Sequence, residues 1–390
     1  MAVAGVFASD ANIPGSRRGD FAAGILQTMP TGSAPLLALT SGMATADARD
    51  TVVTWFEENH IGGREGVSSV NGDGDAAVID VVDASHFIIG TILINQNTGE
   101  YLLVNTVTGN QLNLTRAFAG TTAVTITTSH FLQRIGTAHR EASARPVAIA
   151  NLGFPRFNYV QIFRNAWDVS GTAAAIEFHT GSIVAKNQAD AAGFHAEDIE
   201  RSLIFGKKHI GVANNQPFRM MDGINSQIAT NVSAAGATTD WAELQTFFQT
   251  TFEKNIKGKP NERIAFCGNN TLAVINEIGI RTSQLNIEVG QTDFGLNIHK
   301  LVTPFGNITL MTHPLMVENA VWTKELYVYH PGAIRTRWLR RTHLDNYDKD
   351  GSRAGVDADF GVFTSELSCE YRAELTGHII TGFTAAVALT

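Results

Sequence analysis

The residues with the most chemical promise lie in one polar loop near the C-terminus. Asn346, Asp348, Asp350, Gly351 and Asp357 stand at offsets 1, 3, 5, 6 and 12. That is the spacing of a calcium loop, in which oxygen ligands wrap one ion around a glycine turn. Two substitutions count against an ion: the first position is Asn rather than Asp, and the last is Asp rather than a bidentate Glu. The flanking runs also alternate like strands, whereas such a loop joins helices. A solvated turn is expected. Asp73 and Asp75, in Gly72-Asp73-Gly74-Asp75, offer less. That stretch precedes a strand-like run, whereas a dinucleotide fingerprint follows a strand and opens a helix.

Other chemistries lack their residues. The chain has no His-Glu-x-x-His, no phosphate loop ending in Gly-Lys-Ser/Thr and no Gly-x-Ser-x-Gly. His195, near Glu197 and Asp198, reads as an ordinary helix-surface group rather than a metal ligand. Cys267 and Cys369 read as small core residues of a reducing cytosol, not as a disulfide framework or a zinc site. Arg335, Arg337, Arg340 and Arg341 form the one dense basic run. Positions 335 and 337 share a strand face, and the run is expected to pair with acidic groups of a neighbouring subunit. No catalytic, cofactor or metal residues are therefore assigned.

Composition narrows the class further. Only 17% of the 390 residues are charged, and the net charge is -8. Usual charged content is about a quarter, so much neutral surface is left for burial between subunits. An acidic chain is a poor grip on DNA. No run of about 18 apolar residues occurs and no leader pattern opens the chain, so a soluble protein made in a cytoplasm is expected.

The elements follow from patterning. Residues 1–45 carry Pro14-Gly15, Pro30-Thr31-Gly32 and Pro35 without periodicity and read as an extended arm. Residues 64–132 form a compositional island. It opens on a loop over Val67–Asp75, and short β runs follow at 77–82, 91–95, 100–107 and 111–118. Asn97-Thr98-Gly99 and Thr108-Gly109-Asn110 separate three of these runs as hairpin turns. Residues 184–209 predict the longest helix, with Ala189, Ala192, Ala196, Ile199 and Leu203 as the apolar stripe. Asp190, Glu197, Asp198, Glu200 and Arg201 fall off that stripe, and Gly206 ends the helix beside Lys207-Lys208-His209.

Residues 222–330 predict an α/β lobe. Asp240 caps a helix bearing Trp241, Leu244, Phe248 and Phe252. Arg263–Cys267 is a strand, Asn270 caps a helix ended by Gly279, and strands follow at 297–302, 307–312 and 321–329. Strands return at 333–340, 360–371 and 374–383.

This ordered set resembles the major capsid proteins of tailed bacteriophages, the Hong Kong ninety-seven fold family. A nearer resemblance is to a capsid family of siphophages and podophages once known only as a domain of unknown function. The residues that carry it are Ala34-Pro35-Leu36, Trp55-Phe56-Glu57-Glu58, Arg116-Ala117-Phe118-Ala119-Gly120-Thr121-Thr122 and Asn158-Tyr159-Val160-Gln161-Ile162-Phe163. Asp198-Ile199-Glu200-Arg201, Phe205-Gly206 and Met221-Asp222-Gly223-Ile224 complete the set.

The resemblance implies an α+β fold with an N-terminal arm at 1–63 and an extended loop carrying a β module at 64–140. It implies a peripheral domain at 141–222 and 330–390, with its spine helix at 184–209, and an axial domain at 223–329. It implies a structural protein of the virion head shell that self-assembles into hexamers and pentamers around phage DNA, without sequence-specific binding. Scaffolding, portal and decoration or cement proteins are the further partners implied; no cofactor and no membrane are. The alternatives are another β-rich virion protein, such as a tail-tube or decoration protein, and an uncharacterised hydrolase. Some capsids of this fold harden through a lysine of the extended loop, but the first lysine here is Lys186. A shell held by non-covalent contacts is expected.

Overall fold

The computed structural model describes residue 39 and residues 42–60, 62–70, 77–178, 181–282, 287–289, 299–347 and 357–384. The chain divides into two compact units, Phe56–Pro155 and the remainder, Met1–Trp55 with Arg156–Thr390. Two strands come first, β1 (Ala44–Asp47) and β2 (Val52–Glu57). Along β2 Val53, Trp55 and Glu57 are buried while Val52, Thr54 and Phe56 are exposed, the period-two pattern of a strand with one covered face.

The unit Phe56–Pro155 is built on six strands. They are β3 (Arg64–Val70), β4 (Val78–Val81), β5 (Thr91–Asn95), β6 (Tyr101–Thr108), β7 (Gln111–Phe118) and β8 (Phe131–Thr137). They close into a barrel in the order β3-β4-β7-β6-β5-β8, with every pairing antiparallel. Closure leaves no open edge. The inward residues Val67, Ile79, Leu93, Leu102, Leu112 and Leu132, one from each strand, share one core. The loop expected over Val67–Asp75 is therefore a strand as far as Val70. Val67 is needed inside the barrel, and Ser69 Oγ donates to Asp80 Oδ2 across the ladder (2.7 Å). Residues 71–76, with Asp73 and Asp75, lie outside the described residues.

One ion pair locks the barrel wall. Arg116 Nε and Nη2 donate to the two carboxylate oxygens of buried Glu100, each at 2.8 Å. Ala117 N–H and Val124 N–H donate to the same group. Burial by itself would raise the Glu100 pKa, but Arg116 and the two amides outweigh it and hold the carboxyl below its ordinary value.

The other unit carries the rest of the chain. Its early strands are β9 (Phe154–Tyr159), which begins in the barrel unit, and β10 (Gln161–Ser170). Helix α1 (Ile183–Phe205) follows, and then the hairpin β11 (His209–Ala213) and β12 (Gln216–Met220). Next come β13 (Val232–Ala234), α2 (Trp241–Phe252), β14 (Glu262–Cys267) and α3 (Asn269–Thr282). The later strands are β15 (Ile287–Val289), β16 (His299–Thr303), β17 (Gly306–Thr312) and β18 (Leu326–Tyr329). The chain ends on β19 (Ile334–Tyr347), β20 (Ala358–Tyr371) and β21 (His378–Thr381).

Two sheets organise these elements. One has the order β1-β19-β20-β10, and the other β13-β21-β18-β14-β17-β16-β15. Helix α1 packs on β10 and β20. Its Ile199, Leu203 and Ile204 join Phe163, Leu367 and Cys369 in one buried cluster. Helices α2 and α3 supply Leu244, Phe248, Val274 and Ile275 to a second cluster on the seven-stranded sheet.

Several expected ends moved. Helix α1 does stop before Gly206, but not because the glycine turns left-handed: its φ is -55°. A Cβ there would meet Ser202 O at 2.5 Å and Met221 O at 2.8 Å, so only glycine fits. Helix α3 runs on through Gly279 to Thr282, and Asn270 is not its cap, since its Nδ2 donates to Phe383 O (2.8 Å). The expected strand at 374–383 opens instead as a tight turn over Glu374–Thr376. Glu374 pulls that turn inward, accepting from Ala229 N–H, Thr230 N–H and Arg156 Nη2. A tight turn over Trp322–Lys324 likewise replaces the first part of the strand expected at 321–329.

Buried imidazoles make this unit sensitive to acid. Burial pushes His378 down to about 4, and burial together with the Arg263 guanidinium does the same to His330. Both stay neutral in the fold, whereas an unfolded chain protonates them below about 6.5. Their stabilisation is present above that pH and is lost as pH falls toward about 4, on the order of 2–3 kcal/mol per group. Melting temperature is expected to fall steeply between pH 6.5 and 4. His378→Gln, which can keep the contacts to Thr251 and Ser233, is expected to flatten that slope. A wild-type profile level across this range would contradict the assignment.

Candidate assembly surfaces

Among the described residues no group of three or more His, Cys, Asp or Glu side chains could hold a metal ion. Asp348, Asp350 and Gly351 of the calcium-like loop lie outside the described residues. Asn346 is in β19, opposite Gly361. Asp357 meets the chain at Gly171, whose N–H donates to its carbonyl (2.9 Å). Cys267 and Cys369 are buried, free thiols. Burial pushes Cys267 up to about 12 and Cys369 upward as well, so neither is a nucleophile.

His195 is not on the surface. It is 2% exposed, with Nδ1 at 2.8 Å from Asn165 Oδ1 and Nε2 at 2.7 Å from Ser365 Oγ. Burial lowers its pKa, and Asp198 partly opposes this. The buried line of α1 is Ala191, His195, Ile199 and Leu203, with Glu200 and Ile204 beside it. Ala189 is exposed, and Ala192 and Ala196 are half-buried. The expected stripe was thus rotated toward small alanines. A step of four from Leu203 back to Ala191 was the signal for the true face. What admits a histidine there is a pair of polar partners 30 and 170 residues away in sequence.

Glu200 is likewise inside rather than off the stripe. Its Oε1 accepts from Leu39 N–H (2.7 Å) and lies 3.5 Å from His313 Nε2. Leu39 and Met43 are buried in the cluster of Leu203, Ile204 and Met316. β1 then adds in parallel to β19. The segment that follows the N-terminal 38 residues is therefore fastened by core packing, a buried carboxylate and a ladder.

Three of the four arginines of the run already have acidic partners within the chain. Arg337 pairs with Glu370, Arg340 with Glu366 and Arg341 with Asp47. The reason is register: β20 runs antiparallel to β19 and sets Glu366 against Arg340 and Glu370 against Arg335. Glu366 and Glu370, four apart in the return strand, were the sequence signal.

Apolar side chains are also exposed. In the barrel unit Val82, Ile89, Ile135, Val147 and Leu152 are exposed. Residues 138–153 belong to no helix or strand. A cleft of about 600 Å³ lies between their first half and Ile89, Leu103 and Val104, with Arg140 and Arg145 also lining it. Gly90 allows this approach, since a Cβ there would meet Ala138 O at 2.8 Å. In the other unit Ile162, Phe194, Ile210, Val212 and Phe218 are exposed. Exposed apolar side chains thus occur on both units.

Known proteins agree with this architecture. The sequence model of the SU10 major capsid protein family matches residues 7–384. The major capsid protein of Pseudomonas phage PaMx41 is 27% identical over 405 residues, covering 98% of this chain and 96% of its own. The capsid of a native GTA particle computed with C5 symmetry has the same fold, with a TM-score of 0.52 and 8% identity over 98% of this chain and 99% of its own. The structure of Microbacterium phage Oxtober96 gives 0.50 and 9% over 96% and 98%. With one sequence model spanning all but the two ends and the α+β fold of phage shells beneath it, the chain belongs to the SU10 major capsid protein family and is a structural protein of the phage head.

Proposed function

We propose that copies of this chain assemble into hexamers and pentamers that close as an icosahedral head shell around phage DNA. In this reading residues 1–63 are the arm and 64–140 the extended loop with its β module. Residues 141–222 and 330–390 form the peripheral domain, and 223–329 the axial domain. The observation that supports it most is the apolar exposure at Val147, Leu152, Val212 and Phe218 on a chain with only 17% charged residues. Heterologous contacts through such surface generate rings, and rings generate capsomers. Scaffolding, portal and decoration proteins join the shell, and the DNA is enclosed without sequence-specific contacts. The chain is made in the host cytoplasm and catalyses no reaction. No described helix is long and apolar enough to cross a membrane.

Electron microscopy of the expressed chain tests the reading. Closed shells or ring-shaped capsomers are expected; open tubes or lone monomers would contradict it. The same particles test how the shell is held. Joining chains through a lysine needs an amine nucleophile, and residues 1–185 contain no lysine. Boiled, reduced particles are expected to run as a single band near 42 kDa. A boiling-resistant ladder of multimers would refute non-covalent assembly.

A further inference from the structure

The hairpin β11–β12 is mostly exposed. Every residue from Gly211 to Phe218 except Gly211 is exposed, and the two strands form a sheet of their own. An isolated two-stranded hairpin is marginal in water, so a projecting one gains from a third strand. Asn214 and Asn215 both have left-handed backbone, with φ of 50° and 59°. This is the two-residue turn that matches strand twist.

The register shows which edge is open. Ala213 pairs with Gln216, Val212 with Pro217, Gly211 with Phe218 and Ile210 with Arg219. In such a hairpin the residues flanking the turn exchange hydrogen bonds, and the next pair points its amides outward, in alternation. The outward groups of β11 are therefore those of Ile210 and Val212, and those of β12 are Pro217 and Arg219. Pro217 has no N–H, and Arg219 is charged, two devices that blunt an edge. The β11 edge has neither device. It presents paired donors and acceptors beside apolar side chains 53% and 76% exposed.

We propose that the β11 edge accepts an extended strand from a second copy of this chain, a ladder formed between subunits. The proposal rests on the self-assembly described above. Two observations favour another copy as the occupant. Lys207 and Arg219 stand at the hairpin's root beside Lys208, which pairs with Asp222 of its own chain at 3.7 Å. On a chain of net charge -8 the acidic surface of another copy complements Lys207 and Arg219. The chain also carries a segment assigned to no helix or strand, residues 144–153, with Val147 and Leu152 exposed. One chain thus offers both an open edge and a segment of strand length that pairs with no sheet of its own, the two halves of strand addition.

Hydrogen exchange on wild-type shells and unassembled chain reads the ladder directly. The Ile210 and Val212 amides are expected to exchange at least tenfold more slowly in shells, whether empty or filled with DNA. Val212→Pro removes one outward donor and leaves the hairpin's own bonds intact, as Pro217 does opposite. Its shells are expected to form in at least fivefold lower yield, or to dissociate at lower denaturant than wild-type shells, with unchanged circular dichroism. Equal exchange in both states would overturn the proposal. So would protection confined to DNA-filled shells, which would make DNA the partner, or a Val212→Pro variant whose shells match wild type. Wild-type shells are the reference throughout, so loss of this contact is read separately from failure of assembly itself.

Discussion

Leu203→Asp is expected to abolish recovery of soluble protein. Leu203 is fully buried on α1, in the cluster that joins Ile199 and Ile204 to Phe163, Met221 and Leu367. Removing a buried leucine side chain alone costs about 2–5 kcal/mol. Burying a carboxylate among aliphatic groups adds several more, because the group must keep its charge without solvent or be protonated to enter. Domain stabilities of about 5–15 kcal/mol do not absorb the sum. Leu203→Ala serves as the milder case and is expected to remain soluble with a lowered melting temperature. The measurements are soluble yield and thermal melting. A soluble Leu203→Asp chain that melts with wild type would show that this face of α1 is not packed against β10 and β20.

Excising the barrel is expected to leave a folded chain that forms no shells. The barrel closes around its own core, and its first and last strands meet. Arg64 pairs with Gln133, and Arg134 N–H donates to Gly63 O at 2.7 Å. A short Gly-Asn-Gly turn can therefore replace residues 64–133 without stretching the chain. Nothing in the clusters around α1, α2 and α3 comes from the excised residues, so their melting transition is expected to stay within a few degrees of wild type. Assembly is expected to fail because the exposed side chains of this unit, Val82, Ile89 and Ile135 among them, are assigned to contacts with neighbouring subunits. Normal shells from the excised chain would remove the barrel from that role. Aggregation would instead appear as loss of the melting transition, which separates a folding defect from an assembly defect.

Much of this architecture was legible because local pattern and fold agree. The hairpin turns at Asn97-Thr98-Gly99 and Thr108-Gly109-Asn110 are where three barrel strands reverse. The cap at Asp240 accepts from Glu243 N–H as its spacing predicts (2.7 Å). Strand β14 and the turn between β16 and β17 also fall where the residues place them. Each of these signals lies within a few residues of its effect. The family was legible for a different reason: an ordered set of soft motifs spans the chain, and a sequence model of that family matches it from residue 7 to residue 384.

The sequence by itself determined the periodic elements, the low charge and the lack of lysine before residue 186, because these depend on neighbours along the chain or on counting. Tertiary structure alone decided which polar groups go inside. His195 is buried because Asn165 and Ser365 meet its two nitrogens. Glu200 is buried because Leu39 N–H and His313 converge on it. Glu366 and Glu370 are buried because the β19–β20 register brings Arg340 and Arg337 to them. A buried polar side chain is tolerated only where its partners arrive, and here they arrive from 26 to 170 residues away. The open β11 edge has the same origin. Residues 210–220 carry no strand expected from sequence, and among the described residues only the fold shows that edge without a strand beside it.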